Sequence, residues 1–245
     1  MNDLRGKTVL ITGGARRLGK ALVKAVAAAG AQVALTYLDS EAEAGRMVAE
    51  IKARGGEALA VRCDVRQPES IAAAIGSVSG ACGKIDILIN NAGFYETVAF
   101  EDLKPEQWDN MFAINVRGPM LVSQQCIPAL RKSQGRIIHI GSLGGEMPWA
   151  THAHYCSSKA SLHMLTRVMA KALAPDIAVN CVAPGMLDLA DKTAESEAMK
   201  RFAANTPMRR NGTADDVISA VLYFATAPHF VTGQVLVVDG GLGLS

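Results

Sequence analysis

Apolar residues along this chain fall into two alternating patterns. Short runs rich in Val, Ile and Leu recur as "KTVLIT" (7–12), "AQVALTY" (31–37), "EALAVRCD" (57–64), "IDILINN" (85–91), "GRIIHIGS" (135–142), "DIAVNCVAP" (176–184) and "GQVLVVD" (233–239). Each is short and bounded by turn formers, which predicts strands buried on both faces. Between them lie longer amphipathic stretches over 17–29, 41–54, from Pro68, after Pro105, over 153–173, a polar helical segment over 191–204, and from Thr213. These predict helices. A strand–helix–strand alternation needs parallel pairing, because each parallel crossover is long enough to hold a helix. The pattern therefore predicts an α/β fold, a doubly wound parallel sheet with helices on both faces. No linker, repeat or low-complexity tract interrupts it, so residues 1–245 read as a single domain.

Composition narrows the classes of function. With 25 basic and 23 acidic residues the net charge is +2, too small a field to favour a nucleic acid partner. The apolar run near the N-terminus soon reaches glycines and no stretch is long enough for a bilayer, so neither a secretory leader nor a membrane span is expected. Cys63, Cys82, Cys126, Cys156 and Cys181 are widely spaced and contain no C-x-x-C pair, which suits reduced thiols in a cytoplasmic protein.

The first candidate site is "TGGARRLG" (12–19), between the first strand and the first helix. Gly13 and Gly19 let the chain turn sharply and bring the helix N-terminus, with its unpaired N–H groups, close to a phosphate. A strand-to-helix turn that binds nothing has the same glycines, so the turn alone decides little. The second strand ends at Tyr37, where an acidic residue would bind the adenosine ribose of NAD. Asp39 lies beyond it and reads as a turn or helix-start carboxylate. Arg16 in the glycine turn offers a guanidinium suited to a 2′-phosphate. Together these features favour NADP (NADPH).

The second candidate site is "YCSSK" (155–159), where Tyr155 and Lys159 stand four apart and share one helix face. A free phenol titrates near pH ~10, and a cationic neighbour favours its ionised form. Ser142, at the end of the fifth strand, lies at the sheet edge where ligands collect, and its hydroxyl can hold a carbonyl oxygen. An ordinary surface helix also shows this spacing. His152 and His154 lack a third ligand in the sequence, so no metal site is expected. His139 reads as packed within its strand. Met147 and Trp149 read as pocket lining or core, and 186–210 as a substrate lid or a solvated helix.

The glycine turn, "RCDV" (62–65), "INNAG" (89–93), "NVRG" (115–118), Ser142, "YCSSK", "VNCVAPG" (179–185) and "TGQVLVVDGG" (232–241) occur in this order. Over essentially its whole length the chain resembles a compact short-chain dehydrogenase/reductase, which implies a Rossmann-type fold. The resemblance implies Tyr155 as the acid protonating a carbonyl oxygen and Ser142 as the group orienting it. Lys159 would lower the Tyr155 pKa and bind the nicotinamide ribose, and Asn115 would complete a water-mediated proton relay. It further implies a cofactor site formed by Gly13, Arg16, Arg17, Leu18, Gly19, Tyr37, Asp64, Val65, Asn91, Ala92, Gly93, Tyr155, Lys159, Pro184, Gly185 and Leu187. A homotetramer or homodimer, assembled through the Tyr155 helix and its neighbour, follows by the same analogy.

Departures from the usual pattern bear on the substrate. Arg17 stands where the motif T-G-x-x-x-G-x-G has its central glycine, which resembles the pteridine reductases, as does "FYET" (94–97). Ser142 stands where many of those enzymes carry aspartate. Length, Ser142 and the C-terminal "VDGG" resemble 3-oxoacyl-carrier-protein reductases, but Ser133 and Pro175 stand where basic docking residues are expected. The sequence thus predicts an NADPH-dependent carbonyl reductase, with pterin and acyl-carrier substrates as alternatives. A non-catalytic dinucleotide-binding sensor or scaffold is the alternative of another class.

Overall fold

A computed structural model of the chain describes residues 3–189 and 197–244. Strands β1 (Thr8–Ile11), β2 (Gln32–Tyr37), β3 (Ala58–Arg62), β4 (Ile87–Asn90), β5 (Arg136–Ile140), β6 (Ala178–Pro184) and β7 (Val235–Val238) form one sheet. Its order is β3-β2-β1-β4-β5-β6-β7, and every pair is parallel. From β1 the chain winds outward through β2 and β3, then crosses back to β4 and winds the other way. The reversal opens a crevice between the carboxyl ends of β1 and β4. The glycine turn follows β1 and Asn91–Gly93 follows β4, so both lie at that crevice.

Alternation along the strands explains how one sheet supports two cores. Val9 and Ile11 of β1 face helices α1 (Arg17–Ala28), α2 (Glu41–Ala53) and α8 (Ala214–Thr226), meeting Leu22, Met47 and Phe224. Leu10 faces the opposite layer, α3 (Pro68–Cys82), α5 (Gly118–Ser133) and α6 (Ala153–Leu173), among Ile75, Leu130 and Leu173. Because both faces are covered, the strands read as continuous apolar runs rather than alternating ones.

Local chemistry sets the helix ends. Pro68 and Pro105 start α3 and α4 (Pro105–Phe112), where a missing N–H is harmless. Thr213 and Asp216 cap α8 reciprocally, Thr213 N–H donating to Asp216 Oδ2 at 2.7 Å. The single helix expected after Pro105 is instead α4 and α5 joined by a π turn over Ala113–Arg117. Pro119 has no N–H to donate to the carbonyl of Asn115 four residues earlier, and its ring crowds that carbonyl. The turn widens, and Gly118 N–H donates to Ala113 O.

Helix α7 spans Glu197–Asn205; the stretch 190–196, part of the predicted lid and of the predicted 191–204 helix, lies outside the described residues. Among the described residues no helix is long and apolar enough to cross a membrane. All five cysteines are free thiols.

Candidate active site

Two threonines, one before the glycine turn and one at the end of β2, hold that turn in place. Thr12 Oγ1 accepts the N–H groups of Asn91 and Ala92, both at 3.0 Å. The Asn91 side-chain amide donates to the carbonyls of Thr12 (2.9 Å) and Gly13 (3.0 Å). From β2, Thr36 accepts Gly13 N–H on its hydroxyl at 3.2 Å and Gly14 N–H on its carbonyl at 2.9 Å. Gly13 has φ +64°, and a Cβ there would stand 3.0 Å from the Ala92 backbone. The cradle is therefore shaped for backbone alone. Leu18 and Gly19 are buried in the first turn of α1, while Arg16 and Arg17 are exposed. Neither arginine makes a side-chain hydrogen bond or ion pair among the described residues.

Arg17 takes φ +51°, the left-handed region that favours glycine. This accounts for glycine in the usual motif, and it costs a residue with a Cβ about 1 kcal/mol. Replacing Arg17 with glycine is expected to leave stability unchanged or raise it by up to about 1 kcal/mol, the relief being partly offset by unfolded-state entropy. Urea unfolding measures it; a clear loss of stability contradicts the strain.

Around the adenosine side of the crevice, Tyr37 pairs in register with Arg62. Asp64 accepts two guanidinium N–H groups and the backbone N–H of Arg66, and the Arg66 side chain holds its carboxyl below the usual carboxylate range. Val65 is buried against Gly118. On the other side, Pro184 ends β6, and Gly185 N–H donates to Val238 O at 2.9 Å. Leu187 bridges to Gly212. Asp239 lies close against Gly185 and accepts the N–H groups of Gly241 and Gly243.

The second group converges at the ends of β4 and β5. Ser142 Oγ accepts Gly144 N–H at 3.1 Å, and the Ser142 side chain acts to lower the Tyr155 pKa. Lys159 is buried, with Nζ 2.9 Å from Ile140 O and 5.8 Å from the Tyr155 ring centre. Asn115 is fixed on three sides: Oδ1 accepts Phe94 N–H at 2.8 Å, and Nδ2 donates to Phe94 O and Ser158 Oγ, both at 3.0 Å. A Cβ on Gly93 would stand 3.5 Å from Asn115 Oδ1 and 3.8 Å from Lys159 Nζ. Gly93 thus lies between these two polar groups.

A family model described as enoyl-(acyl carrier protein) reductase matches residues 13–243. A 3-oxoacyl-[acyl-carrier-protein] reductase of Synechocystis sp. is 34% identical over 99% of both chains. Among solved structures, a short-chain dehydrogenase/reductase of Serratia marcescens aligns with TM-score 0.93 and 34% identity over 98% of this chain and 99% of its own. The chain belongs to the short-chain dehydrogenase/reductase family. A gluconate 5-dehydrogenase of Burkholderia cenocepacia, solved with NADP and tartrate, shares 31% identity over 100% of this chain and 98% of its own, with TM-score 0.93.

In this dehydrogenase/reductase the electrostatics at Tyr155 differ from the sequence expectation. Burial pushes the phenol up to about 12, against the Ser142 side chain, which acts downward. Burial brings Lys159 down to about 8. The Lys159 ammonium donates to Ile140 O, and burial of the ring is the largest influence on Tyr155.

The surroundings of that ring are aromatic. Tyr95 meets Tyr155 edge-on at 5.0 Å between ring centres, and Trp149 lies nearly parallel to Tyr155 at 6.3 Å. Phe202 of α7 lies 6.4 Å from Trp149 between ring centres. His152 Nε2 lies 2.5 Å from Tyr95 Oη, and fully buried His154 lies 3.4 Å from Glu96. These histidines tie the 94–97 segment to the start of α6, and no metal-binding cluster occurs among the described residues. His139 is fully buried, with its pKa pushed down to about 3 by that burial. Sequence reading missed the roles of Thr12 and Thr36, which arise only from partners far along the chain; Tyr95 lies in the "FYET" segment it singled out.

Proposed function

We propose that this oxidoreductase is an NADPH-dependent carbonyl reductase with Tyr155 as the proton donor. The observation that carries the reading is the convergence of Ser142 at the end of β5, Tyr155 and the buried Lys159, whose Nζ lies 5.8 Å from the Tyr155 ring centre. A phenol held near 12 keeps its proton at neutral pH, the form a reduction consumes. The glycine cradle fits a pyrophosphate, since Gly13 leaves no room for a Cβ and the α1 N-terminus opens toward it. NADPH, when bound, supplies the hydride from C4 of its nicotinamide. The chain's own residues orient and protonate: Ser142 holds the carbonyl oxygen, Tyr155 gives it a proton, and Lys159 with Asn115 returns one to Tyr155.

The fuller cofactor site comprises Gly13, Arg16, Arg17, Leu18, Gly19, Tyr37, Asp64, Val65, Asn91, Ala92, Gly93, Pro184, Gly185 and Leu187. Arg16, exposed at the mouth of the turn, reads the 2′-phosphate. Arg16→Ala is expected to weaken NADPH about 10-fold or more and NADH little; fluorescence titration of both checks it, and equal weakening removes the role.

The reading is tested by following NADPH absorbance with dihydrobiopterin, an acetoacetyl thioester and simple ketones or quinones. The aromatic wall of Tyr95, Trp149 and Phe202, with Arg17 exposed at the turn, favours a planar substrate such as a pterin as the second reading. The acyl-thioester alternative rests on the 34% identical carrier-protein reductase. Exposed Met164 and Val168 on α6, beside a groove lined by Phe112, Val116, Met120 and Leu165, support a homo-oligomer formed through this helix.

A further inference from the structure

The face of α6 that carries Tyr155 and Lys159 has a third member, His163, four residues on. Its side chain is 2% exposed. Nδ1 lies 2.9 Å from Glu146 Oε1, and Nε2 lies 3.5 Å from the backbone N of Ser142. With Nδ1–H donating to the carboxylate, Nε2 is the acceptor, and the Ser142 N–H points its proton there. The loop is built around the ring. A Cβ on Gly145 would come 2.5 Å from His163 Cε1, and one on Gly141 would overlap Nε2. Both glycines therefore let the backbone on either side of Ser142 lie directly on the imidazole.

The titratable groups facing His163 come from three elements. Glu146 follows the 143–145 turn, Lys159 and Arg167 stand one turn either side on α6, and Cys181 of β6 lies against Gly141 as His163 does. Burial, with Lys159 and Arg167, holds the imidazole below its usual value, while Glu146 acts in the opposite direction. Neutral His163 is thus the form at pH 7.

We propose that His163, oriented by Glu146, is a positioning residue for Ser142, and through Ser142 for the proton donor Tyr155; the proposal rests on the carbonyl-reductase reading above. Protonating Nε2 sets a donor against the Ser142 N–H, which releases the loop. Activity then falls on the acid side as His163 takes up a proton.

Two measurements separate this proposal from the reading beneath it. Amide hydrogen exchange across 141–146 needs no turnover: His163→Ala is expected to speed it at least about 10-fold, while His163→Gln stays near wild type. Glutamine can both donate to Glu146 and accept from Ser142. With a substrate found in the panel, His163→Ala is expected to lower kcat about 10-fold or more with NADPH affinity within about 2-fold, and His163→Gln to recover most of it. Glu146→Gln removes the charge that favours protonated His163, so the acid limb of kcat moves to lower pH by about half a unit or more. This variant is a surface change, Glu146 being 44% exposed, and carries the test if His163→Ala does not fold. Wild-type exchange and kcat in His163→Ala overturn the proposal. So does equal impairment of His163→Gln and His163→Ala, or an acid limb that Glu146→Gln leaves in place. If the wild type reduces no carbonyl, the reductase reading fails while the exchange result still stands.

Discussion

Tyr155→Phe is expected to lower kcat for carbonyl reduction by about 10³-fold or more, with NADPH affinity within about 2-fold of wild type. The variant removes one oxygen. Its ring keeps the edge contact with Tyr95 and the parallel contact with Trp149, so the pocket and fold should persist. Burial of the phenol favours the substitution, since a buried hydroxyl traded for C–H costs little. What disappears is the proton delivered to the forming alkoxide. Stopped-flow NADPH oxidation and fluorescence titration measure the two quantities separately. Turnover at the wild-type level would place the acid elsewhere.

Gly19→Val is expected to weaken NADPH by about 100-fold or more, or to destabilise the fold by roughly 2–3 kcal/mol. A Cβ at Gly19 overlaps the carbonyl oxygen of Gly13 and comes 2.7 Å from Asn91 Nδ2. Both atoms belong to the hydrogen bonds that close the cradle, so the collision cannot be relieved by swinging a flexible side chain. Gly76 in α3 is the control, because nothing lies within 4 Å of its Cβ position. Gly76→Ala should gain up to about 1 kcal/mol from helix propensity. Calorimetry with and without NADPH reads both variants. If Gly19→Val binds cofactor normally, the turn is not the phosphate cradle.

Most of the fold was legible because its signals are local. Seven apolar runs became seven parallel strands, each within two residues of its expected bounds at either end. The π turn was not legible, since Pro119 looks like an ordinary helix-start residue unless the carbonyl it abandons is known. The two sites were legible to different depths. Tyr155, Lys159 and Ser142 are marked by spacing and by position at a strand end. Their electrostatics were not, because the approximate values of 12 and 8 come from surroundings assembled by distant loops. His163 carried no signal: one histidine in an amphipathic helix looks the same whether or not a glycine-rich loop lies on it.

The widened turn before Pro119 sets stability against use. Selection for heat resistance alone, acting on residues 113–133, favours exchanging Pro119 for a good helix former and closing the ladder into regular spacing. Asn115 lies within this irregular turn and is held there by Phe94 and Ser158. A straighter rod would turn that amide away from both. Thermostable variants of this enzyme are therefore better sought in the layer around Leu22, Met47 and Phe224, across the sheet from the turn, where no such exchange is forced.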